Sequence, residues 1–124
     1  MEVTIKRAYQ HPSEQDGVRI LVDRLWPRGV SKKEAKIDYW FNQIPPSTEL
    51  RKWFNHEPDK FELFKEKYIR ELHTEPEKDD QLRELKRLTK NHERVTLVYG
   101  AKDKKHNQAI VLQDLLNEPS FLTN

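Results

Sequence analysis

Charged and polar side chains that could do chemistry follow two short apolar runs of the sequence. The first run is Val18–Asp23 and the second is Val95–Tyr99. In open parallel sheets, ligands bind outside the carboxyl ends of the strands. If the two runs form neighbouring parallel strands, the segments that follow them face one another. The side chains that we expect to converge there are Asp23, Arg24, Arg28, Lys102, Asp103, His106 and Asn107.

Proton transfer is the chemistry that we predict for Asp23, Asp103 and His106. A carboxylate at the end of a buried strand, such as Asp23, can act as a general acid or base, and a histidine can assist. Structural roles stay open for both acids. Asp23 could pair with Arg24 or with a backbone N–H, and Asp103 could cap the helix that follows it.

Anion binding is the role that we predict for Arg24, Arg28 and Lys102. Planar guanidinium groups are suited to phosphate and to carboxylate. Trp26 lies between the two arginines and could stack on a ring of the ligand, although it is equally suited to the core. Together with Asn107, these four side chains form the predicted ligand-binding set.

The last predicted helix has an unusual charge pattern at its start. It would begin near Lys104, so that Lys104, Lys105 and His106 occupy its first turn. The N-terminus of a helix favours negative charge, so these cations are unfavourable there unless an anion is bound. The alternative is that the lysines point into solvent.

Three segments are predicted to be strands, namely Val3–Lys6, Val18–Asp23 and Val95–Tyr99. The first alternates apolar and polar residues, as expected of a one-sided or edge strand. The other two contain continuous apolar runs, which are typical of strands covered on both faces of a parallel sheet.

Four segments are predicted to be helices. Ser47 is suited to be the N-cap of the first, and Pro58 can open the second. Thr74 and Glu77 have the spacing of a capping box at the start of the third. The fourth would run from about Lys104 to Asn117. The sequence therefore predicts a compact α/β domain whose small, mainly parallel sheet of about three strands is covered by about four helices.

The composition favours one small cytoplasmic domain. The 124 residues include 5 Phe, 4 Tyr and 3 Trp, which suffice for a core, but no cysteine, so disulfide and thiolate chemistry are excluded. No stretch approaches the ~20 apolar residues of a membrane helix. Residues 1–7 lack the apolar region of a signal peptide. We expect one domain over residues 1–119 and a short tail over 120–124, with no membrane association.

Metal and cofactor motifs do not occur in the sequence. The 5 histidines include no pair with the zinc-protease spacing, and 3 glycines form no phosphate-binding loop of known pattern. We predict no metal site and identify no cofactor. One arrangement stays open, in which Asp23 and Asp103 hold a magnesium-bound phosphate.

Several stretches spread over nearly the whole chain form a specific pattern. They are Asp16–Arg19, Leu21–Gly29, Pro46–Arg51, Trp53–Phe54, His56, Tyr99–Asp103 and His106–Asn107. In these residues the sequence resembles the YeaO-like branch of a large bacterial family of domains of unknown function. The resemblance implies a single α/β domain and directs attention to the loops after the strands, but it supplies no reaction. Many members carry cysteines near the last strand–helix junction, so chemistry based on them cannot be transferred to this chain.

Three functions are compatible with these observations. The first is the binding or processing of a small anionic, phosphorylated ligand at the carboxyl ends of the strands. The second is nucleic-acid binding by the basic window from Arg24 to Lys36, although 23 basic and 21 acidic residues leave a net charge of only +2. The third is a non-catalytic interaction module whose acidic and basic zones pair with a partner. The oligomeric state stays open.

Overall fold

The computed structural model describes residues 2–118 of the chain. In chain order, the elements are β1 (Glu2–Arg7), β2 (Val18–Leu21), α1 (Lys32–Ala35), β3 (Tyr39–Trp40), α2 (Thr48–Phe54), α3 (Phe61–Thr74), α4 (Pro76–Asn91), β4 (Arg94–Tyr99) and α5 (Gln108–Leu116). Single 3₁₀ turns precede β2 and α3, at Glu14–Asp16 and Pro58–Lys60. The predicted tail, residues 120–124, lies outside the described residues.

The four strands of the described chain form one sheet in the order β1-β4-β2-β3, and every pair is parallel. Val95 of β4 lies between Val3 of β1 and Val18 of β2. The predicted α/β fold with a mainly parallel sheet is therefore confirmed, and the two apolar runs are neighbours, which the sequence left open. The sheet has one strand more than the three expected, because the two residues of β3 are too few to show an alternating pattern.

Apolar side chains from the sheet pack on opposite faces into cores of unequal size. The larger core joins one face of the sheet to the long helices, and its fully buried members include Ile20, Val22, Leu97, Leu72, Leu85 and Leu112. The smaller core, on the other face, contains Ala8, Leu21 and Val98, with Trp26 and Ile37 packed against it. Both neighbouring central strands are therefore covered on both faces, as their continuous apolar runs predict.

Local capping signals in the sequence had different outcomes at two helices. Ser47 is the N-cap of α2, and its hydroxyl accepts a hydrogen bond from the Leu50 N–H at 3.1 Å, as predicted. The capping box predicted at Thr74 is wrong, because Thr74 still belongs to α3 and donates to the Arg70 carbonyl at 2.8 Å. Pro76 opens α4 instead, at the position where its missing N–H has no structural cost.

The start of α5 also differs from the prediction. The helix begins at Gln108 rather than near Lys104, and Asn107 is its N-cap, accepting from the Ile110 N–H at 3.0 Å. Asp103 lies in the turn before the helix, where its carboxylate accepts from the backbone N–H groups of Lys105 and His106. The predicted conflict between three cations and the first helical turn therefore does not arise. None of the helices within residues 2–118 is long and apolar enough to cross a membrane.

Gly17 connects the first 3₁₀ turn to β2 and can be replaced only at a cost. Its φ of +67° lies in the region that side chains rarely adopt, and an added Cβ would collide with the backbone carbonyl of Arg94. Gly29 also has a positive φ, of +80°, but nothing lies within 4 Å of its Cβ position. A side chain would strain the backbone at both positions, but it would collide with other atoms only at position 17.

We expect Gly17→Ala to lower the free energy of unfolding by more than Gly29→Ala does. Backbone strain alone should cost Gly29→Ala about 1 kcal/mol, whereas the collision should raise the cost of Gly17→Ala to ~3 kcal/mol. Urea unfolding of both variants measures the difference. Equal losses in the free energy of unfolding would show that the backbone at the start of β2 relaxes around the added Cβ at no further cost.

Candidate functional site

A cleft of about 270 Å³ opens at the carboxyl edge of the sheet, between the ends of β2 and β4 and the starts of α2 and α5. Its position is the one expected for a ligand site in a parallel sheet. The residues that line it are Asp23, Arg24, Leu25, Pro45, Pro46, Arg51, Phe54, His56, Phe64, Ala101, His106, Asn107 and Gln108.

Asp23 joins the ends of the two central strands and the first residue of α5. One carboxylate oxygen, Oδ2, accepts a hydrogen bond from the Gly100 N–H at 2.8 Å, directly after β4. The other, Oδ1, accepts from the side-chain amide of Gln108 at 2.6 Å. A Cβ on residue 100 would lie 2.9 Å from Oδ2, so any other residue there would displace the carboxylate from this position.

Partial burial gives Asp23 an unusual acidity. Removal of the carboxylate from water raises its pKa from 3.8 to about 6. The hydrogen bonds from Gly100 and Gln108 and the positive charge of Arg51 act in the opposite direction, because they stabilise the ionised form. Asp23 therefore titrates in the range in which general acids and bases of enzymes often work.

The exposed part of the cleft carries two permanent positive charges, those of Arg24 and Arg51. Its other exposed lining residues are Leu25 and His56. Arg51 lies one turn into α2, and its guanidinium donates a weak hydrogen bond to the Thr48 hydroxyl at 3.3 Å. Neither guanidinium has a carboxylate within salt-bridge distance among the described residues. Both therefore offer donors to a ligand.

His106 is held in place by Asp103. The ring Nδ1 lies 2.9 Å from Asp103 Oδ2, and the ring packs edge-on against Phe61 with 5.2 Å between centroids. Hydrogen bonds from the N–H of Lys105 and from His106 lower the pKa of Asp103, so this acid is ionised at neutral pH. With Nδ1 occupied, Nε2 is the ring nitrogen left for a ligand.

The apolar wall of the cleft is fixed by helix α3. Phe54 stacks on Phe64 with 4.4 Å between ring centroids. The segment before α2 is held from below, since the buried Tyr68 hydroxyl donates to the Ile44 carbonyl at 2.6 Å. The Glu71 carboxylate accepts both the N–H and the hydroxyl of Ser47, at 2.9 and 2.6 Å. Residues 44–47, which include the two lining prolines, are therefore clamped at both ends.

The structure brings some of the predicted site residues together and leaves others outside. Asp23, Arg24, His106 and Asn107 line the cleft, and Asp103 supports His106 from behind. Both polar groups of the Asn107 amide are already used, because Nδ2 donates to the Asp103 carbonyl and Oδ1 caps α5.

Three predicted ligand-binding residues do not line the cleft, namely Trp26, Arg28 and Lys102. Trp26 packs on the smaller core, donates to the Val30 carbonyl at 2.6 Å and meets Trp40 edge-on. The side chains of Arg28 and Lys102 are exposed elsewhere on the surface. The expected convergence of Arg28 and Lys102 with Asp23 around one cleft is thus not found, and Trp26 has the core position that the sequence left open as its alternative.

Sequence reasoning missed the contribution of the middle of the chain to the cleft. Arg51, His56, Phe54 and Phe64 come from α2, the turn after it and α3, and Gln108 comes from α5. The available signal was the helix start at Ser47, which places Arg51 one turn inside α2. No local pattern shows that α2 lies over the strand ends. Within residues 2–118, no three His, Asp or Glu side chains form a group that could hold a metal ion.

The fold and the cleft define a small parallel α/β protein with a charged cleft at the carboxyl edge of its sheet. The chain belongs to the DUF488-N3i family, whose model matches residues 2–121 and is described as the inactive DUF488-N3 subclade.

Curated relatives match the chain over nearly its whole length. It is 40% identical over 116 residues to the uncharacterised protein YeaO of Escherichia coli strain K12, an alignment that covers 94% of this chain and 97% of YeaO. It is 37% identical over 115 residues to the uncharacterised protein Rv3073c of Mycobacterium tuberculosis strain H37Rv, with 93% of each chain covered. The resemblance to the YeaO-like family is therefore confirmed. No solved structure matches the chain.

We expect Asp23→Asn to change how stability depends on pH. The folded state holds the Asp23 proton more firmly than the unfolded state, because the pKa is raised to about 6. Ionisation of Asp23 therefore lowers the free energy of unfolding as the pH rises from about 4 to 7, by roughly 3 kcal/mol at most. Asparagine cannot ionise, so the variant should gain stability relative to the wild type over this range.

Urea unfolding of both proteins at pH 4.5 and pH 7.5 measures this gain. Other acids, such as Asp16 and Asp103, have lowered pKa values and act in the opposite direction, but they act equally in both proteins. Parallel stability curves for wild type and variant would contradict the raised pKa.

Proposed function

We propose that the cleft binds a small anionic, phosphorylated ligand and holds it without converting it. We also propose that the protein is located in the cytoplasm, and the absence of cysteine agrees with that location.

The observation that carries the proposal is the convergence of Arg24 and Arg51 on one cleft, from two different elements and with no carboxylate partner in the described chain. Guanidinium forks bind phosphate oxygens through two parallel charge-assisted hydrogen bonds. His106 can add a third donor through Nε2 when the ring is protonated, since Asp103 already accepts from Nδ1. Arg51 takes the anion-binding place that the sequence suggested for Arg28 and Lys102.

Binding without conversion is supported by three observations. The family is described as an inactive subclade, and the chain has no cysteine to act as a nucleophile. Asp23, whose acidity would suit proton transfer, already accepts hydrogen bonds at both oxygens, from Gly100 and Gln108. In this proposal the carboxylate serves to build the cleft and to contact the ligand.

The volume of the cleft limits the ligand. At about 270 Å³ it lies just below the roughly 300–1,000 Å³ of clefts that take drug-sized molecules. A small phosphorylated metabolite or a mononucleotide with its phosphate at the exposed end suits this volume better than a polymer does.

We expect Arg24→Ala to remove ligand binding while the fold stays intact, because Arg24 is exposed and belongs to no described salt bridge. Thermal shifts are measured for phosphorylated metabolites, nucleotides and short oligonucleotides, with and without magnesium. A ligand at ~100 times its dissociation constant adds about 2.7 kcal/mol, which is several degrees for a chain of this size. Arg28→Ala is the matched control, since Arg28 lies outside the cleft.

A shift that is lost in Arg24→Ala and kept in Arg28→Ala supports the proposal. Equal binding by all three proteins would contradict it. Shifts with oligonucleotides alone that fall steeply with salt would replace it by nucleic-acid binding. No shift with any anion, together with a solution mass that grows with protein concentration, would favour an interaction module.

A further inference from the structure

Polar side chains of the cleft are divided by their hydrogen-bonding character. The exposed guanidinium groups, those of Arg24 and Arg51, can only donate. The partly buried pair formed by Asp23 and Gln108, which we call the acceptor pair, presents oxygen atoms instead. A purely anionic ligand would be attracted by the arginines and repelled by the acceptor pair. The cleft therefore suits a ligand that carries an anionic group at one end and hydrogen-bond donors at the other.

The orientation of the Gln108 amide follows from its two neighbours. Its Nε2 lies 2.6 Å from Asp23 Oδ1 and 3.4 Å from the Val22 carbonyl oxygen, and both of these atoms are acceptors. The NH₂ group must therefore face them, which turns Oε1 away. Within residues 2–118, Oε1 accepts no hydrogen bond, and it is not among the buried polar atoms that lack a partner. It is an accessible acceptor beside the carboxylate.

Asp23 keeps acceptor capacity beyond its two hydrogen bonds. Each carboxylate oxygen can accept about two hydrogen bonds, and each accepts one here, from Gly100 or from Gln108. The acceptor pair therefore offers two oxygens, Asp23 Oδ1 and Gln108 Oε1, from adjacent side chains. No lysine or arginine forms a salt bridge with Asp23 in the described chain.

Apolar rings and prolines form the remaining wall of the cleft. Phe54 and Phe64 stack on one another, and Pro45 and Pro46 lie beside them, all four buried. Such a wall suits a flat, apolar body rather than a chain of hydroxyl groups.

We propose that the ligand is a planar ring that carries N–H donors toward Asp23 and Gln108 and an anionic group toward Arg24 and Arg51. The chemical class is that of amino-substituted aromatic or heterocyclic phosphates. This inference rests on the proposed function, since it adds the N–H end to the anionic ligand, and the two can fail separately.

Asp23→Asn tests the acceptor pair while it keeps the shape of the side chain. The Gly100 N–H needs an acceptor, so the carbonyl oxygen of the asparagine must take the place of Oδ2. Its NH₂ group then takes the place of Oδ1 and faces Gln108, whose amide must turn over so that Oε1 accepts from it and Nε2 points away. The substitution thereby turns both acceptors of the acceptor pair into donors, at a position where an N–H group of the ligand would be repelled.

The probes are phenylphosphonate and 4-aminophenylphosphonate, which differ only in the amino group. Chemical-shift titrations of the full chain give the dissociation constant of each probe for wild type, Asp23→Asn and Arg24→Ala. We expect the wild type to bind the amino compound at least about 10-fold more tightly, as one or two hydrogen bonds to a charged acceptor would produce. Asp23→Asn should abolish this preference, because the variant presents donors to the amino group of the probe.

Each outcome is decisive for one of the two proposals. Equal binding of both probes by the wild type, or a preference that survives in Asp23→Asn, would overturn the N–H end and leave anion binding in place. Absence of binding by both probes, or binding unaffected by Arg24→Ala, would overturn the anionic site itself. The chemical-shift dispersion of Asp23→Asn checks its fold, and the preference of the wild type tests the N–H end independently of this variant.

Discussion

The cleft depends on one carboxylate that ties together three parts of the chain. Asp23 follows β2, and its side chain accepts hydrogen bonds from Gly100 after β4 and from Gln108 at the start of α5. Its backbone carbonyl accepts from the indole of Trp40 in β3, at 2.8 Å. Two central strands, an edge strand and a helix thus meet at a single residue. Because the carboxylate lies so close to the chain after β4, any residue other than glycine at position 100 would displace it. These hydrogen bonds hold the backbone around the cleft in place, so the shape of the cleft is set before a ligand binds.

The same carboxylate determines the electrostatics of the cleft. Its ionised form is destabilised by partial burial and supported by two hydrogen bonds and by the charge of Arg51. An anion that binds Arg51 weakens that support, whereas an N–H donor placed against Asp23 adds to it. A ligand that carries both an anionic group and an N–H donor therefore stabilises the ionised carboxylate through its N–H group, which offsets the stabilisation lost from Arg51.

Local signals were reliable where a hydrogen bond joins residues close in sequence, and failed where a stronger local signal competed. Ser47 caps α2 because its hydroxyl reaches an N–H only three residues away. The same kind of signal at Thr74 was overruled by Pro76, since a proline favours an extended residue before it and so ends α3 at that point. The lysines near position 104 suggested an early start of α5, but the Asp103 turn takes up those residues and leaves the cap to Asn107. The element types were thus predictable, and several boundaries were not.

The sequence by itself determined that β2 and β4 are buried parallel strands and that a carboxylate follows β2, because apolar periodicity and strand composition are local properties. It also determined the membership in the YeaO-like family. Only the tertiary structure decided which side chains meet. It brought Arg51 and His56 into the cleft and left Arg28 and Lys102 outside, although the latter lie nearer the strand ends in sequence. The hydrogen bond from Gln108 to Asp23 joins residues 85 positions apart. Contacts of that range are set by how α2, α3 and α5 pack on the sheet, and packing depends on the shapes of whole surfaces rather than on the pattern of any one segment.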